Sequence, residues 1–291
     1  MLNKNETLEG SPWNWWWPAP AKLNLMLRIT GRRNDGYHLL QTVFQIIDLC
    51  DWLKFHENDS DQITLLQDIA DVATEDNLVV RAAKLLKKEA GYNGGVTIEI
   101  EKKLPMGGGL GGGSSDAATT LVALNKLWQL GFSERQLIEL GVSLGADVPV
   151  FIHGYTAWAE GVGEHLQKID VPQKYFLVIR PDIHVSTKDV FLSEALTRDS
   201  KSITIADFLA GQQQNDCQDV VKKQYPIVDK ALKVIGVYGD AKLTGTGSCV
   251  FVQFDDEQSG KSAFEDIRTD WEAYFVKGLQ VSPLIQMLRS N

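Results

Sequence analysis

Polar and apolar residues alternate strictly at positions 96–101. Val96, Ile98 and Ile100 share one side, and Thr97, Glu99 and Glu101 share the other, which is the period of a half-buried strand. After a glycine-rich break the period becomes helical, with Ala118, Leu121, Val122, Leu124, Leu127 and Trp128 on one stripe. The same reading predicts an early strand with Ala21, Leu23, Leu25, Leu27 and Ile29 on one face. Lys22, Asn24, Met26 and Arg28 form its other face. Turns follow at Gly31 and at Asn34-Asp35-Gly36. A long second strand is predicted over residues 37–49 and a third over 52–56. Asp76 is the expected cap of a helix over residues 77–90, with Leu78, Ala82, Leu85 and Leu86 inward. Ser133-Glu134-Arg135-Gln136 reads as a capping box that opens a helix over residues 134–144. Gly145-Ala146-Asp147-Val148-Pro149 turns into Val150, Phe151 and Ile152. Residues 175–179 read as a buried strand, and Leu243 to Ser248 as a turn into a strand over 249–252. Strands that pair and then alternate with helices predict an α+β fold rather than a doubly wound parallel sheet. The expected organisation is a flexible tail over 1–12, a first lobe over 13–168 and a second over 169–291.

The break itself carries the most chemistry. Positions 107–113 hold six glycines and Leu110, between a strand pattern and a helix pattern. Glycine lets backbone approach a ligand closely. The first N–H groups of a helix lack internal partners and carry partial positive charge, so an anion fits there, with Ser114 or Ser115 as an added donor. Three readings stand side by side. A flexible linker rarely has a strand and a helix tight against both ends. Gly107-x-Gly109-x-x-Gly112 fits a dinucleotide fingerprint, but the strand with an acidic end that should follow is replaced by the capping box at Ser133. A nucleoside-triphosphate loop is the third, although not a Walker A sequence, because no lysine precedes Ser114.

Composition narrows the class. The 291 residues, 44% of them hydrophobic, suffice for two domains or one large one with a sizeable core. A net charge of −9 argues against nucleic acid as a partner. Cys50, Cys217 and Cys249 are scattered and odd in number, so neither a zinc site nor a disulfide framework is expected. No apolar run reaches membrane length and no apolar signal core precedes Ser11, which together predict a reduced, cytoplasmic protein away from membranes.

Several reactive groups have two readings. Lys22 either snorkels to solvent from an apolar strand or shares a face with Asn24 and points into a cleft. Asp147 either hydrogen-bonds locally within its turn or acts as a general base. Trp13, Trp15, Trp16 and Trp17 read as packing or an interface.

The glycine loop resembles the phosphate loop of the GHMP kinases (galactokinase, homoserine kinase, mevalonate kinase and relatives). Pro20-Ala21-Lys22-Leu23-Asn24-Leu25 and Leu243-Thr244-Gly245-Thr246-Gly247 agree with it. So do Asp35-Gly36-Tyr37-His38, Glu75-Asp76-Asn77-Leu78 and Gly145-Ala146-Asp147-Val148-Pro149, all in family order from about Trp17 to the C-terminus. These blocks are most similar to the family members that act on a cytidine-diphosphate-linked methylerythritol. The resemblance implies a two-lobed α+β kinase with its active site in the cleft between lobes, the first lobe binding ATP. It implies transfer of the γ-phosphate to a tertiary 2-hydroxyl, with Asp147 as catalytic base and Lys22 as its cationic partner. It assigns the phosphates to Gly107, Gly108, Gly109, Leu110, Gly111, Gly112, Gly113, Ser114 and Ser115. The adenine falls near Asn77, Leu78, Lys102, Pro105 and Met106. The substrate falls on Asn24, Tyr37, His38, Thr187 and Phe191, with Tyr37 and Phe191 stacking on the cytosine. Mg²⁺ is implied with the nucleotide, its protein ligands unassigned. The partner is a small molecule, and a monomer or weak homodimer is expected. Asp116 departs from the pattern, where many relatives carry a small residue. It is expected to face away and assist the helix start.

Overall fold

One strand organises the molecule. In a computed structural model that describes residues 4, 10–34, 36–69 and 72–290, strand β1 (Trp16–Arg32) pairs antiparallel along nearly the whole of β2 (His38–Asn58). The opposite edge of β2 holds three partners in succession. These are β5 (Ala157–Glu160) at Thr42 to Phe44, β10 (Glu272–Leu279) at Ile46 and Ile47, and β4 (Gly95–Glu101) from Trp52 to Asn58. Strand β3 (Ile63–Leu65) adds to β4 in parallel, and β6 (His165–Lys168) pairs with β5. Beyond β10 the sheet continues through β7 (Tyr175–Arg180), β9 (Val250–Phe254) and β8 (Lys242–Leu243). The architecture is α+β, as the pattern predicts.

The second and third predicted strands are therefore one. The acidic residues beside and within the expected gap are satisfied from outside the strand. Asp48 Oδ1 accepts the N–H of Lys277 at 2.7 Å, and Asp51 Oδ1 accepts the N–H groups of Lys103 and Leu104. Pro20↔Cys50 and Ala19↔Asp51 stay in register across the presumed gap. The two-faced pattern of β1 also fails locally. Register shifts occur between Pro20 and Lys22, where the extra residues lie in β2, and between Asn24 and Met26, where β1 carries one extra residue and the facing of those that follow is reversed. Met26 is thus fully buried rather than sharing a polar face.

Helices α1 (Leu78–Ala90), α2 (Gly112–Leu127), α3 (Glu134–Leu144) and α4 (Val148–His153) cover one face of the sheet around β1, β2 and β4. Asn77, not Asp76, caps α1, its Oδ1 accepting from the N–H of Val79 at 2.9 Å. The capping box at Ser133 and Gln136 forms as the sequence predicts. Helix α2 is buried on nearly every side, which its Ala- and Thr-rich sequence permits by close approach. Trp15 and Trp17 lie in this core, with Trp17 edge-on to Phe55 at 6.5 Å, and Trp13 packs against it, so these three pack, while Trp16 lies under the Lys4 and Lys54 ammonium groups. A second cluster joins β7 and β9 to the helices Gln218–Gln224 and Pro226–Ile235, and a third, with Leu23, Met26, Leu110, Phe176 and Phe251, lies between the two. The helix Pro283–Arg289 returns Leu284 and Met287 to the first core. Most of the tail over 1–12, and Asp35 of the turn, lie outside the described residues. All three cysteines are free and buried.

Candidate active site

Strand β4 delivers the chain to the glycine loop, and the loop delivers it to α2. Gly107, Gly109 and Gly111 have positive φ, at 72°, 84° and 77°. Gly111 is the N-cap of α2 and offers no side chain to its N–H groups. Those N–H groups have no intrahelical partners, and Gly111 to Ser114 line a cavity of about 750 Å³. A second glycine turn braces the first. A Cβ at Gly109 would strike the Thr244 carbonyl, and one at Gly247 would strike the Gly108–Gly109 peptide. The N–H of Cys249 donates to the Gly108 carbonyl at 3.0 Å. Burial pushes the Cys249 thiol up to about 12, so it packs beside the loop as an inert group.

Lys22 does not snorkel. It is 2% exposed, and its ammonium donates to Asn24 Oδ1 at 2.6 Å and to the Gly109 carbonyl at 3.0 Å. Its third neighbour is Asp147 Oδ2 at 3.2 Å. Two hydrogen bonds and an ion pair thus hold Nζ, so Lys22 fixes positive charge between the loop and the carboxylate. Asn24 is fixed in turn, its N–H donating to Thr244 Oγ1 and its Nδ2 to Thr42 Oγ1, both at 2.9 Å. Asp147 sits at the start of α4, yet its side chain makes no capping bond there. Its carboxylate faces Lys22 and the cavity instead.

Around the same cavity lie Asn24, Asn77, Leu78, Lys102, Pro105, Met106, Thr187 and Phe191, with all of Gly107 to Ser114. Ser115 is fully buried behind that lining, its Oγ without a partner among the described residues. Tyr37 is 66% exposed and, like His38, lies outside the lining. His38 stacks on Phe191, ring centres 4.9 Å apart. Burial, with Arg198 and Arg32 nearby, lowers the His38 pKa.

Asp116 does not face away. It is 3% exposed, lines the cavity and accepts from Lys102 Nζ at 2.7 Å, while Asp51 accepts from the same ammonium. Two carboxylates thus share one lysine. Burial raises the Asp116 carboxyl to about 7 against the pull of Lys102, and Asp51 adds to the rise. Sequence reading did not single out Asp51, Thr42 or Arg198, and it gave Thr244 no role beyond its place in the second glycine block. The one available signal was Asp51, an acidic residue inside a largely apolar strand.

Profiles described as "GHMP kinases N terminal domain" and "GHMP kinases C terminal" match residues 77–155 and 192–273. The chain is 55% identical over 275 residues to the 4-diphosphocytidyl-2-C-methyl-D-erythritol kinase of Methylococcus capsulatus, covering 94% of each chain. It is 51% identical to the kinase of that name from Nitrosococcus oceani, covering 94% of this chain and 98% of that one. Among solved structures, a 4-(cytidine 5'-diphospho)-2C-methyl-D-erythritol kinase superposes with a TM-score of 0.79 at 32% identity, over 91% of this chain and 99% of that one. A mevalonate kinase superposes with a TM-score of 0.68 at 17% identity over 91% and 99%, a likeness of fold.

Proposed function

The chain belongs to the GHMP kinase family, and on that premise we propose that it transfers the γ-phosphoryl group of ATP to the 2-hydroxyl of 4-diphosphocytidyl-2-C-methyl-D-erythritol. It is a small-molecule kinase, and the products are the 2-phosphate and ADP, a step toward isoprenoid precursors. The observation that carries the reading is the convergence of Lys22 and Asp147, 3.2 Å apart, at a glycine loop that opens a helix in the same cavity. Identity above half with kinases of that name supports the choice of acceptor.

The chain's own groups divide the work. The free N–H groups at the start of α2 and the backbone of Gly107 to Gly113 receive the phosphates. Asp147 accepts the proton of the attacking hydroxyl. Lys22, rigid because its bonds to Asn24 and Gly109 hold it, orients that carboxylate and adds positive charge where the phosphoryl group passes. Asn77, Leu78, Lys102, Pro105 and Met106 border the adenine. Asn24, Tyr37, His38, Thr187 and Phe191 meet the acceptor, Tyr37 by moving over the base. Residues 13–168 form the body of the nucleotide lobe and 169–291 most of the second lobe, with the helix Pro283–Arg289 packed back on the first core.

Mg²⁺ enters with the nucleotide and neutralises phosphate charge. Among the described residues no group of three His, Cys, Asp or Glu side chains is arranged to hold a metal. The site fits an ion held mainly by phosphates, as Mg²⁺ often is. Asp116 and Ser114, which line the cavity, are the residues whose oxygens would complete its shell.

No described helix is long and apolar enough to cross a membrane. The acidic charge and the free cysteines are consistent with the reading of a cytoplasmic protein without nucleic-acid partners, and a monomer or weak homodimer is proposed with it. The test is ADP release with Mg-ATP and five acceptors: the cytidyl substrate, free methylerythritol, homoserine, galactose and mevalonate. Turnover with the cytidyl substrate alone is expected. Turnover with a different alcohol instead would keep the kinase and discard the acceptor.

A further inference from the structure

Arg198 lies in the loop behind α5 (Thr187–Leu192), and no role has been given to it above. Its Nη2 donates to the carbonyls of Phe191 at 2.9 Å and Ser193 at 2.7 Å, and its Nη1 to that of Leu196 at 3.1 Å. Its Nε donates to His38 Nε2 at 3.3 Å. One guanidinium thus closes the loop on itself and ties it to the first residue of β2. His38 and Phe191, the two rings it holds, stack within 19° of parallel.

We infer that Arg198 is the positioning residue for base recognition: it sets the Phe191 ring and holds His38 in the tautomer with its proton on Nδ1. The inference rests on the reading above, in which these rings meet a cytosine. Guanidinium has donors and no acceptor, so the imidazole nitrogen facing it must present a lone pair. A neutral ring has one proton, which then resides on Nδ1. A protonated ring would set N–H against N–H. The cations facing His38 are Arg198 and Arg32, and both act with burial to disfavour that charged ring. Lysine cannot substitute, because three carbonyls and an imidazole are reached by a planar fork and not by a point charge. With Nδ1–H as its donor, the ring is matched to an acceptor such as O2 or N3 of cytosine, and mismatched to the N3–H of uracil.

Arg198→Lys and Arg198→Gln in the full chain test this, by steady-state kinetics with Mg-ATP and by ¹⁵N NMR of His38. In both variants KM for the cytidyl substrate should rise roughly tenfold, as expected when a charged hydrogen-bonding partner is lost, with KM for ATP little changed. The wild-type His38 should show the Nδ1–H pattern. In Arg198→Gln that pattern should give way to a tautomer mixture, and the ring should titrate at higher pH. An equal rise in both KM values would overturn the inference, since general loosening would do the same. An Nε2–H ring in the wild type would overturn it even if neither variant folds. If the wild type does not turn over the cytidyl substrate, the acceptor assignment fails, and the NMR measurement still decides the role of Arg198.

Discussion

Lys22 Nζ stands 3.2 Å from Asp147 Oδ2, yet the lysine side chain is 3% exposed and the aspartate 35%. The cation is locked into the protein and the carboxylate is left open toward the cavity. A purely structural ion pair gains nothing from that asymmetry. A base that must meet a substrate hydroxyl requires it.

Asp147→Asn is therefore expected to fold, bind ATP and lose turnover by about 100- to 10,000-fold, the usual range for loss of a general base. ADP release gives the rate, and an ATP-induced thermal shift reports binding. Turnover near wild type would reduce Asp147 to a turn residue.

Lys22→Met should cost both rate and stability. It leaves the Asn24 amide oxygen and the Gly109 carbonyl without their donor in a buried position. An unsatisfied buried acceptor costs about 1–3 kcal/mol, and urea unfolding would read it. Asp147 can hydrate in this variant, so the loss belongs to the buried side of the pair. An unchanged midpoint would mean that water replaces the ammonium.

Gly247→Ala should weaken ATP binding at least tenfold, because its Cβ drives into the Gly108–Gly109 peptide and displaces the phosphate loop. Gly131→Ala is the control. Gly131 has φ at 76° with no atom within 4 Å of a new Cβ, so only backbone strain of about 1–2 kcal/mol is added. ATP titrations of both variants check the contrast. Equal affinities would show that the second glycine turn yields freely.

Asp116→Asn should change how stability depends on pH. The carboxyl rises from 3.8 to about 7 on folding. Between those values the folded state holds a proton that the unfolded chain has released, so stability falls as pH rises through that window. The contribution is fully present below the unfolded value and lost above the folded one. The variant lacks it, so the wild type should lose stability relative to the variant from about pH 4 to 7, with a constant difference beyond. Urea unfolding at several pH values measures this, and parallel curves would remove Asp116 as the cause.

Where periodicity and turn chemistry act over a few residues, the sequence was sufficient. The alternation at Val96, Ile98 and Ile100 became β4, and the Ser133–Gln136 box capped α3 with both of its bonds. The glycine run between a strand and a helix was legible as an anion site for the same reason. A cap, a period and a glycine turn are each decided by neighbours within one or two turns of chain. The continuity of β2 was not legible, because Asp51 looks like a strand breaker until the N–H groups of Lys103 and Leu104 arrive from a distant segment. The face of Met26 was not legible either, since bulges in β1 depend on the register of its partner. The sequence by itself determined the elements, the α+β class and the residue types available for chemistry. Only the tertiary structure decided that Lys22, Gly109 and Asp147 meet and that Asp116 shares Lys102 with Asp51. Those contacts join segments far apart in the chain, and long-range packing, which no local pattern encodes, brings them within hydrogen-bond distance.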